Sequence, residues 1–300
     1  MYANLLAVIT FPVLAQQRDD GSPFFKTYQL TDKVYMLEAP GAGGNIGVFS
    51  GPDGVVLIDD RFDQDTAALL EAVAAITPQK IRFLVNTHIH PDHIGGNNNL
   101  AAYGVDILAH DSVRLKMLKE LRIPRRGGIS FPQPPVQARP VITYSEAISF
   151  HLNGEEVRVF LAPPAHTDGD SFVHFKGSDV LHLGDVFRTN MYPIIDHFNG
   201  GSYLGMIEAM ALAIELAGPN TKVIPGHGEG FTDKQGMIEV YDMMTAIRDT
   251  VAGLIAQGKT LEEVLAAKPT DAYDEQWGGV ASWTSADLLP IVYEELVAQR

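Results

Sequence analysis

One short stretch of the chain, His88-Ile89-His90-Pro91-Asp92-His93, concentrates side chains that could bind a metal ion. It carries three imidazoles and one carboxylate directly after an apolar, strand-like run at 81–85. Divalent zinc favours these ligand types, and side chains crowded on a loop can converge where a strand or helix would spread them. The alternative is a polar surface turn, but three of the chain's ten histidines lie within these positions. The stretch therefore predicts a metal-binding loop.

Three further ligand-type residues follow later apolar runs that have the character of buried strands. They are His166, Asp185 and His227, and each stands beside glycine or proline at the end of its run. Taken singly, such a residue is more often a turn or cap residue than a ligand. Strand ends at one edge of a sheet can converge, however. Together with the loop, these residues supply seven ligands for two metal ions.

Composition describes a globular protein and restricts its chemistry. The chain has 300 residues, 46% of them hydrophobic, which is enough for one large core or two packed halves. Its 37 acidic and 22 basic side chains give a formal charge of −15, which argues against a nucleic-acid partner. There is no cysteine, so disulfides and thiolate ligands are excluded. Any zinc site must use nitrogen and oxygen ligands.

The N-terminus resembles an export signal. Residues 3–15 form an apolar run too short to span a bilayer, and Val13-Leu14-Ala15 resembles a signal-peptidase site. We therefore interpret residues 1–15 as a signal peptide and expect a periplasmic or secreted protein. Met1-Tyr2 supplies no positive charge, which leaves a misassigned start or a retained apolar arm as alternatives. No other stretch is long and apolar enough to cross a membrane.

The elements that position the loop show strand and helix patterns. Turn formers separate three apolar runs, which predicts antiparallel strands at 34–37, 46–49 and 55–58. Helical spacing predicts a helix over 65–76, ahead of the strand that leads to the loop. We expect Asp111 to cap a helix running to about Leu121. The following segment, 122–140, has no periodicity and predicts an irregular loop bordering the active site.

The second half repeats this plan. Asn153-Gly154 predicts a hairpin between strands at 147–152 and 156–161. The remaining patterns predict strands at 172–175, 180–183 and 222–224 and helices at 202–217, 237–254 and 287–299. Two halves of strands followed by helices indicate two sheets packed face to face, with helices on both outer faces.

Four segments together resemble the metallo-β-lactamase superfamily. They are His-Ile-His-Pro-Asp-His at 88–93, Ala-His-Thr-Asp-Gly-Asp at 165–170, Leu-Gly-Asp at 183–185 and Pro-Gly-His-Gly at 225–228. The resemblance covers most of residues 30–230 and implies an α/β fold, a four-layer αββα sandwich of two mixed sheets with outer helices. We expect residues 24–300 to form one such domain, with a helical C-terminal extension from about residue 236.

The resemblance also implies a role for each candidate ligand. The first metal would be held by His88, His90 and His166, and the second by Asp92, His93 and His227. Asp185 stands where glyoxalase-type and lactonase-type members have a bridging aspartate, whereas the best known β-lactamase subclass has cysteine. Arg188 stands where that subclass uses a lysine to bind the substrate carboxylate. Arginine could do so bidentately, and the alternative is a structural ion pair.

These residues predict a dinuclear zinc hydrolase that cleaves a C–N or C–O bond in a small substrate. Substrates that bear a carboxylate are among those we expect. A metal-bridging hydroxide, oriented by Asp92, would be the nucleophile. Aspartate at 185 makes the site harder than thiolate would, so manganese or iron could replace zinc. The alternatives are a lactonase or thioesterase, a mononuclear iron persulfide dioxygenase, and a non-catalytic metal-binding protein.

Overall fold

The first sheet is built by the N-terminal half of the chain. The structure, a computed structural model, describes residues 22–123, 128–278 and 283–300, so the predicted signal peptide at 1–15 lies outside the described residues. The sheet has seven strands, β1 (Lys26–Gln29), β2 (Val34–Glu38), β3 (Ile46–Gly51), β4 (Gly54–Ile58), β5 (Ile81–Val85), β6 (Asp106–His110) and β9 (Ile142–Tyr144). They lie in this order, antiparallel from β1 to β4 and parallel beyond β4.

The second sheet has five strands, β10 (Ala147–Leu152), β11 (Glu155–Leu161), β12 (Ser171–Phe175), β13 (Val180–His182) and β14 (Lys222–Ile224). The predicted hairpin joins β10 to β11, and both of its turn residues have positive φ, 52° at Asn153 and 78° at Gly154. β13 and β14 pair in parallel, with His182 opposite Ile224. This pairing brings the residues that follow both strands to the same edge of the sheet.

Helices cover both outer faces. They are α1 (Thr66–Ile76), α2 (Pro91–Ile94), α3 (Asn97–Ala102), α4 (Asp111–Lys116), α5 (Tyr203–Leu216), α6 (Lys234–Ala256), α7 (Leu261–Ala266), α8 (Asp274–Trp277) and α9 (Ser285–Ala298). None of the described helices has the length and apolar character needed to cross a membrane. Glu295 of α9 accepts hydrogen bonds from the backbone N–H groups of Tyr203 and Leu204, which fixes the start of α5.

Three apolar layers hold the sandwich together. Between the sheets, side chains such as Phe49 and Val85 of the first pack against Val159 and Phe175 of the second. On the outside of the first sheet lies α1, and α5, α6 and α9 cover the second. The predicted four-layer αββα sandwich is confirmed.

The predicted helix from Asp111 to about Leu121 is wrong in its N-cap and in its length. The N-cap is His110, whose Nδ1 accepts from the Ser112 N–H, and Asp111 is the first residue of the helix. α4 ends at Lys116, and Leu121 instead begins a short hairpin, in which β7 (Leu121–Ile123) pairs with β8 (Ile129–Phe131). Leu121 is buried in a cluster with Ile89 and Met117, and this tertiary contact outweighs the helical pattern. The described residues of the segment 122–140 are therefore more regular than predicted. The two strands were not predicted because three residues are too few to show periodicity.

Candidate metal centre

All seven predicted ligands lie together at one edge of the two sheets. The loop after β5 supplies His88 and His90, and the short helix α2 that follows supplies Asp92 and His93. The segments that follow β11, β13 and β14 supply His166, Asp185 and His227. Three sets have ligand atoms within 4.8 Å of one another, namely His88, His90 and His166; His88, His93 and Asp185; and Asp92, His93 and His227. The parallel pairing of β13 with β14 explains why Asp185 and His227 lie close together.

The first set presents imidazole lone pairs to a common point. Nδ1 of His90 lies 2.8 Å from Nε2 of His166. The other nitrogens of these rings contact oxygens, the Asp196 carboxylate at 2.8 Å and the carbonyl of Ile194 at 2.7 Å. Since a carbonyl or carboxylate only accepts, the protons lie on these outer nitrogens. The two inner nitrogens then face each other with lone pairs, an arrangement that a cation stabilises.

The second set is arranged in the same way. Nε2 of His227 lies 3.2 Å from Nε2 of His93 and 3.0 Å from Oδ2 of Asp92. Nδ1 of His93 contacts Oδ2 of Asp59 at 2.7 Å, which leaves its inner nitrogen available to a ligand. The side chain of Asp92 is 20% exposed, so this set is open to solvent on one side.

Asp59 supports ligands of both sets, and our sequence analysis missed it. Its carboxylate accepts from the Thr87 backbone N–H at 2.7 Å and from the Thr87 hydroxyl at 2.8 Å, besides contacting His93. Because the hydroxyl proton goes to Asp59, the Thr87 oxygen accepts the Nδ1 proton of His88 at 3.0 Å. Asp59 directly follows strand β4, so it carries the same signal, a carboxylate at a strand end, that identified Asp185.

Asp185 lies between the two sets. Its Oδ1 is 3.2 Å from Nε2 of His93 and 3.3 Å from Nε2 of His227, and its Oδ2 is 3.7 Å from Nε2 of His166. A carboxylate with one oxygen towards each set is placed as a bridging ligand would be.

At three of the seven residues, His88, His166 and Asp185, burial and neighbouring charge favour the protonation state that binds a cation, whereas at His93 burial is outweighed by the surrounding carboxylates, which raise its pKa. Burial lowers the pKa of His88 well below its ordinary value and that of His166 to about 3, and neighbouring imidazoles add to both shifts. Burial alone would raise the pKa of Asp185, but His227 and His93 hold it well below the ordinary value. The two imidazoles are therefore neutral and the carboxylate is ionised at neutral pH.

The donor set fits divalent cations. Among the described residues, Nε2 of His88 and Oδ1 of Asp185 are buried atoms that make no hydrogen bond. Buried polar atoms are nearly always satisfied, so these two point to a ligand that binds between them. Imidazole and carboxylate donors without thiolate suit zinc and also accept manganese or iron.

A cleft of about 490 Å³ opens over the ligands. Its floor includes His90, Asp92, His166, Asp185 and His227, and its walls include Gly41, Ala42, Phe62, Ile123, Ile129, Phe131, Met191 and Ile194. Arg188 also lines it, and the guanidinium Nε donates to Oδ1 of Asn190 at 3.2 Å. The segment predicted to border the active site lines this cleft through β7 and β8.

Arg61, a buried arginine that was not predicted from the sequence, holds the loop 40–44, whose Gly41 and Ala42 line the cleft. It is 2% exposed, has a φ of 59°, and donates to the carbonyls of Gly43 at 2.7 Å and Pro40 at 2.9 Å. A Cβ on Gly44 would lie 2.3 Å from Cε1 of His93, so only glycine permits this approach. The loop 40–44 is thus fixed against the metal ligands.

Comparison with known proteins identifies the family. The sequence profile of the metallo-beta-lactamase superfamily matches residues 39–228, which is more than half of the chain. The chain belongs to the metallo-beta-lactamase superfamily, and the resemblance seen in its motifs is confirmed. It is therefore an enzyme of a superfamily whose members are mostly metal-dependent hydrolases.

Solved structures with the same fold include two kinds of enzyme. A metallo-beta-lactamase from Pontibacter korlensis is 16% identical, with a TM-score of 0.62 over 74% of this chain and 99% of that one. The DIM-1 metallo-beta-lactamase is 17% identical, with a TM-score of 0.60 over 74% of this chain and 98% of its own. The inverting sec-alkylsulfatase Pisa1 from Pseudomonas sp. is 18% identical, with a TM-score of 0.64 over 90% of this chain but 50% of its own. These likenesses show the fold.

Proposed function

We propose that the chain is a dinuclear zinc hydrolase that cleaves a C–N or C–O bond in a small substrate. The observation that carries this proposal is the pair of adjoining ligand sets with Asp185 between them. His88, His90 and His166 would hold one ion, and Asp92, His93 and His227 the other.

When bound, two divalent cations supply hydroxide near neutral pH and polarise the substrate carbonyl. The protein's own residues orient the reactants. Asp92 borders the cleft, and although burial raises its pKa, His93 and His227 hold it below the ordinary value. The ionised carboxylate can therefore accept a hydrogen bond from the attacking hydroxide and fix its direction. Arg188 supplies a guanidinium for an anionic group of the substrate.

A lactonase or thioesterase is the second candidate, and Asp185 is the observation that favours it. Lactonase-type and glyoxalase-type members have aspartate there, as this chain does. The alkylsulfatase whose fold the chain shares adds sec-alkyl sulfates to the substrates that need testing.

The test combines metal analysis with a substrate panel. Elemental analysis of the purified protein is expected to give two zinc ions per chain, and one iron per chain would overturn the dizinc proposal in favour of a persulfide dioxygenase. Hydrolysis is then measured on a penicillin, a carbapenem, a lactone, a thioester and a sec-alkyl sulfate. His151→Ala is a matched control, because His151 is exposed on β10 away from the ligands, and it should retain metal and activity.

We also propose that residues 1–15 direct export and are then removed, which places the enzyme in the periplasm or outside the cell. The apolar run and the Val13-Leu14-Ala15 site support this proposal. N-terminal sequencing of protein from the periplasmic fraction should begin at Gln16, and an intact Met1 would contradict it.

A further inference from the structure

The 88–93 loop and the turn after it have a second, apolar face. The ligand atoms of His88 and His90 meet those of His166, whereas Ile89, Pro91 and Ile94 line a separate chamber of about 440 Å³. One stretch of chain thus forms both the metal centre and the wall of this chamber.

Most of the side chains that line the chamber are apolar. Ile89, Ile94, Met117, Leu121 and Ala138 are buried and belong to one hydrophobic cluster. The polar lining residues are Asp63, Asn98 and Asn99, of which Asp63 and Asn98 are exposed. Such a chamber binds apolar groups, because a charged or strongly polar group would lose hydration there without gaining a partner.

The chamber adjoins the catalytic cleft. Phe62, Pro91 and Phe131 line both spaces, so the same side chains form the border between them. To reach the chamber, a substrate with its reactive group over the candidate ligands would have to extend an apolar substituent past Pro91 and Phe131.

A second, smaller chamber of about 250 Å³ also adjoins the cleft, through His90, Ile123 and Ile194. Its lining includes the carboxylates of Asp196 and Asp287, and Asp196 is already engaged with His90. Two carboxylates make this chamber less suitable for an alkyl group.

We propose that the chamber behind the 88–93 loop is a substrate subsite that binds an alkyl chain attached to the hydrolysed group. This inference rests on the proposed function and specifies its substrate class, small molecules with a reactive polar end and an alkyl tail. Each methylene buried in the chamber should tighten binding by about two- to fourfold until the space is filled.

The test measures binding rather than turnover. Butanoate, hexanoate, octanoate and decanoate are titrated into the zinc-loaded full-length protein, and their dissociation constants are compared by calorimetry. Ala138→Leu narrows the chamber from within, and Asn98→Phe blocks it from an exposed position that leaves buried contacts intact. Ile291→Phe is the matched control, because Ile291 lines the smaller chamber.

The proposal requires affinity to rise with chain length in the wild type and in Ile291→Phe. It also requires the rise to vanish in Asn98→Phe or Ala138→Leu while butanoate affinity and zinc content stay unchanged. Equal affinities along the wild-type series would overturn it, as would a dependence that both chamber variants retain or that Ile291→Phe alone abolishes. If no substrate of the panel is hydrolysed but the dependence behaves as required, the subsite stands and the hydrolase proposal fails.

Discussion

The two ligand sets differ in charge and in exposure. The first set, His88, His90 and His166, offers only imidazole nitrogens and is buried, whereas the other set includes the Asp92 carboxylate, which is partly exposed to the cleft. Two cations bound here would therefore have unequal environments. The carboxylate-containing set offsets more of its cation's charge and is the more open to exchange with water and substrate.

The two sets also differ in their support. In the first, His90 and His166 are oriented by Asp196 and by the Ile194 carbonyl, both supplied by the second half of the chain. His88 is oriented through Thr87 by Asp59, which also contacts His93 of the other set. The Asp59 carboxylate, from the first half of the chain, thus links the two sets. Substituting Asp59 and Asp196 separately can therefore show which ion each of them supports.

Removing a ligand from either set should have the largest effect. His90→Ala and Asp92→Ala should each lower kcat/KM by more than about 100-fold. This exceeds the loss that usually follows when only a residue hydrogen-bonded to a metal ligand is substituted. Each variant should lose one of the two ions, a different one in each case, since each removes a ligand from one set only. Zinc analysis of both variants is expected to give about one ion per chain.

The His151→Ala variant is the control for both substitutions. Retention of wild-type activity by either ligand variant would refute the role of the loop. Loss of both ions in each variant would show that the two sets bind their ions as one unit. The proposal that the two sets are separate sites with different environments would then be wrong.

Substituting the two supporting carboxylates should have a smaller effect, about 10- to 100-fold on zinc affinity. Asp59→Asn should weaken both ions, because it changes the partner of His93 and, through Thr87, that of His88. Asp196→Asn should weaken only the ion of the first set, through His90. Chelator competition measures both affinities, and a one-ion effect of Asp59→Asn would contradict the proposed link.

How much of this centre could be predicted from the sequence depends on how local each signal is. The 88–93 loop was predictable because its ligands are neighbours in the chain. Asp185 and His227 each follow an apolar strand, and it was their positions in the superfamily's motifs that identified them as candidate ligands. Asp196 was not predictable, because it follows no strand and its contact with His90 arises only in the folded chain.

The fold shows the same division. The long alternating or continuous runs of β3, β4 and β11 were predicted within a few residues. The hairpin of β7 and β8 was missed, because each strand has three residues and is fixed by tertiary contacts such as the burial of Leu121. Local propensity carries little information where packing decides the conformation.

Arg188 concerns substrate rather than metal, and its substitution should have a moderate effect. Arg188→Ala should raise KM about tenfold for carboxylate-bearing substrates with little change in kcat, because it removes an interaction made equally in the ground and transition states. Arg188→Lys should recover part of the loss. Steady-state kinetics on substrates with and without a carboxylate measure this, and unfolding of both variants would instead indicate a structural ion pair.

The smallest effect is expected from Thr87→Val, which isolates one branch of the link between the sets. Valine has nearly the same shape but cannot accept the Nδ1 proton of His88, so a buried donor is left unsatisfied, at a cost of about 1–3 kcal/mol. Asp59 keeps its contacts with the Thr87 backbone and with His93, so the second set should be unaffected. We expect zinc affinity to fall roughly tenfold at the first set only. If Thr87→Val instead weakened both ions as Asp59→Asn should, the hydroxyl rather than the carboxylate would be the group that couples the two halves of the centre.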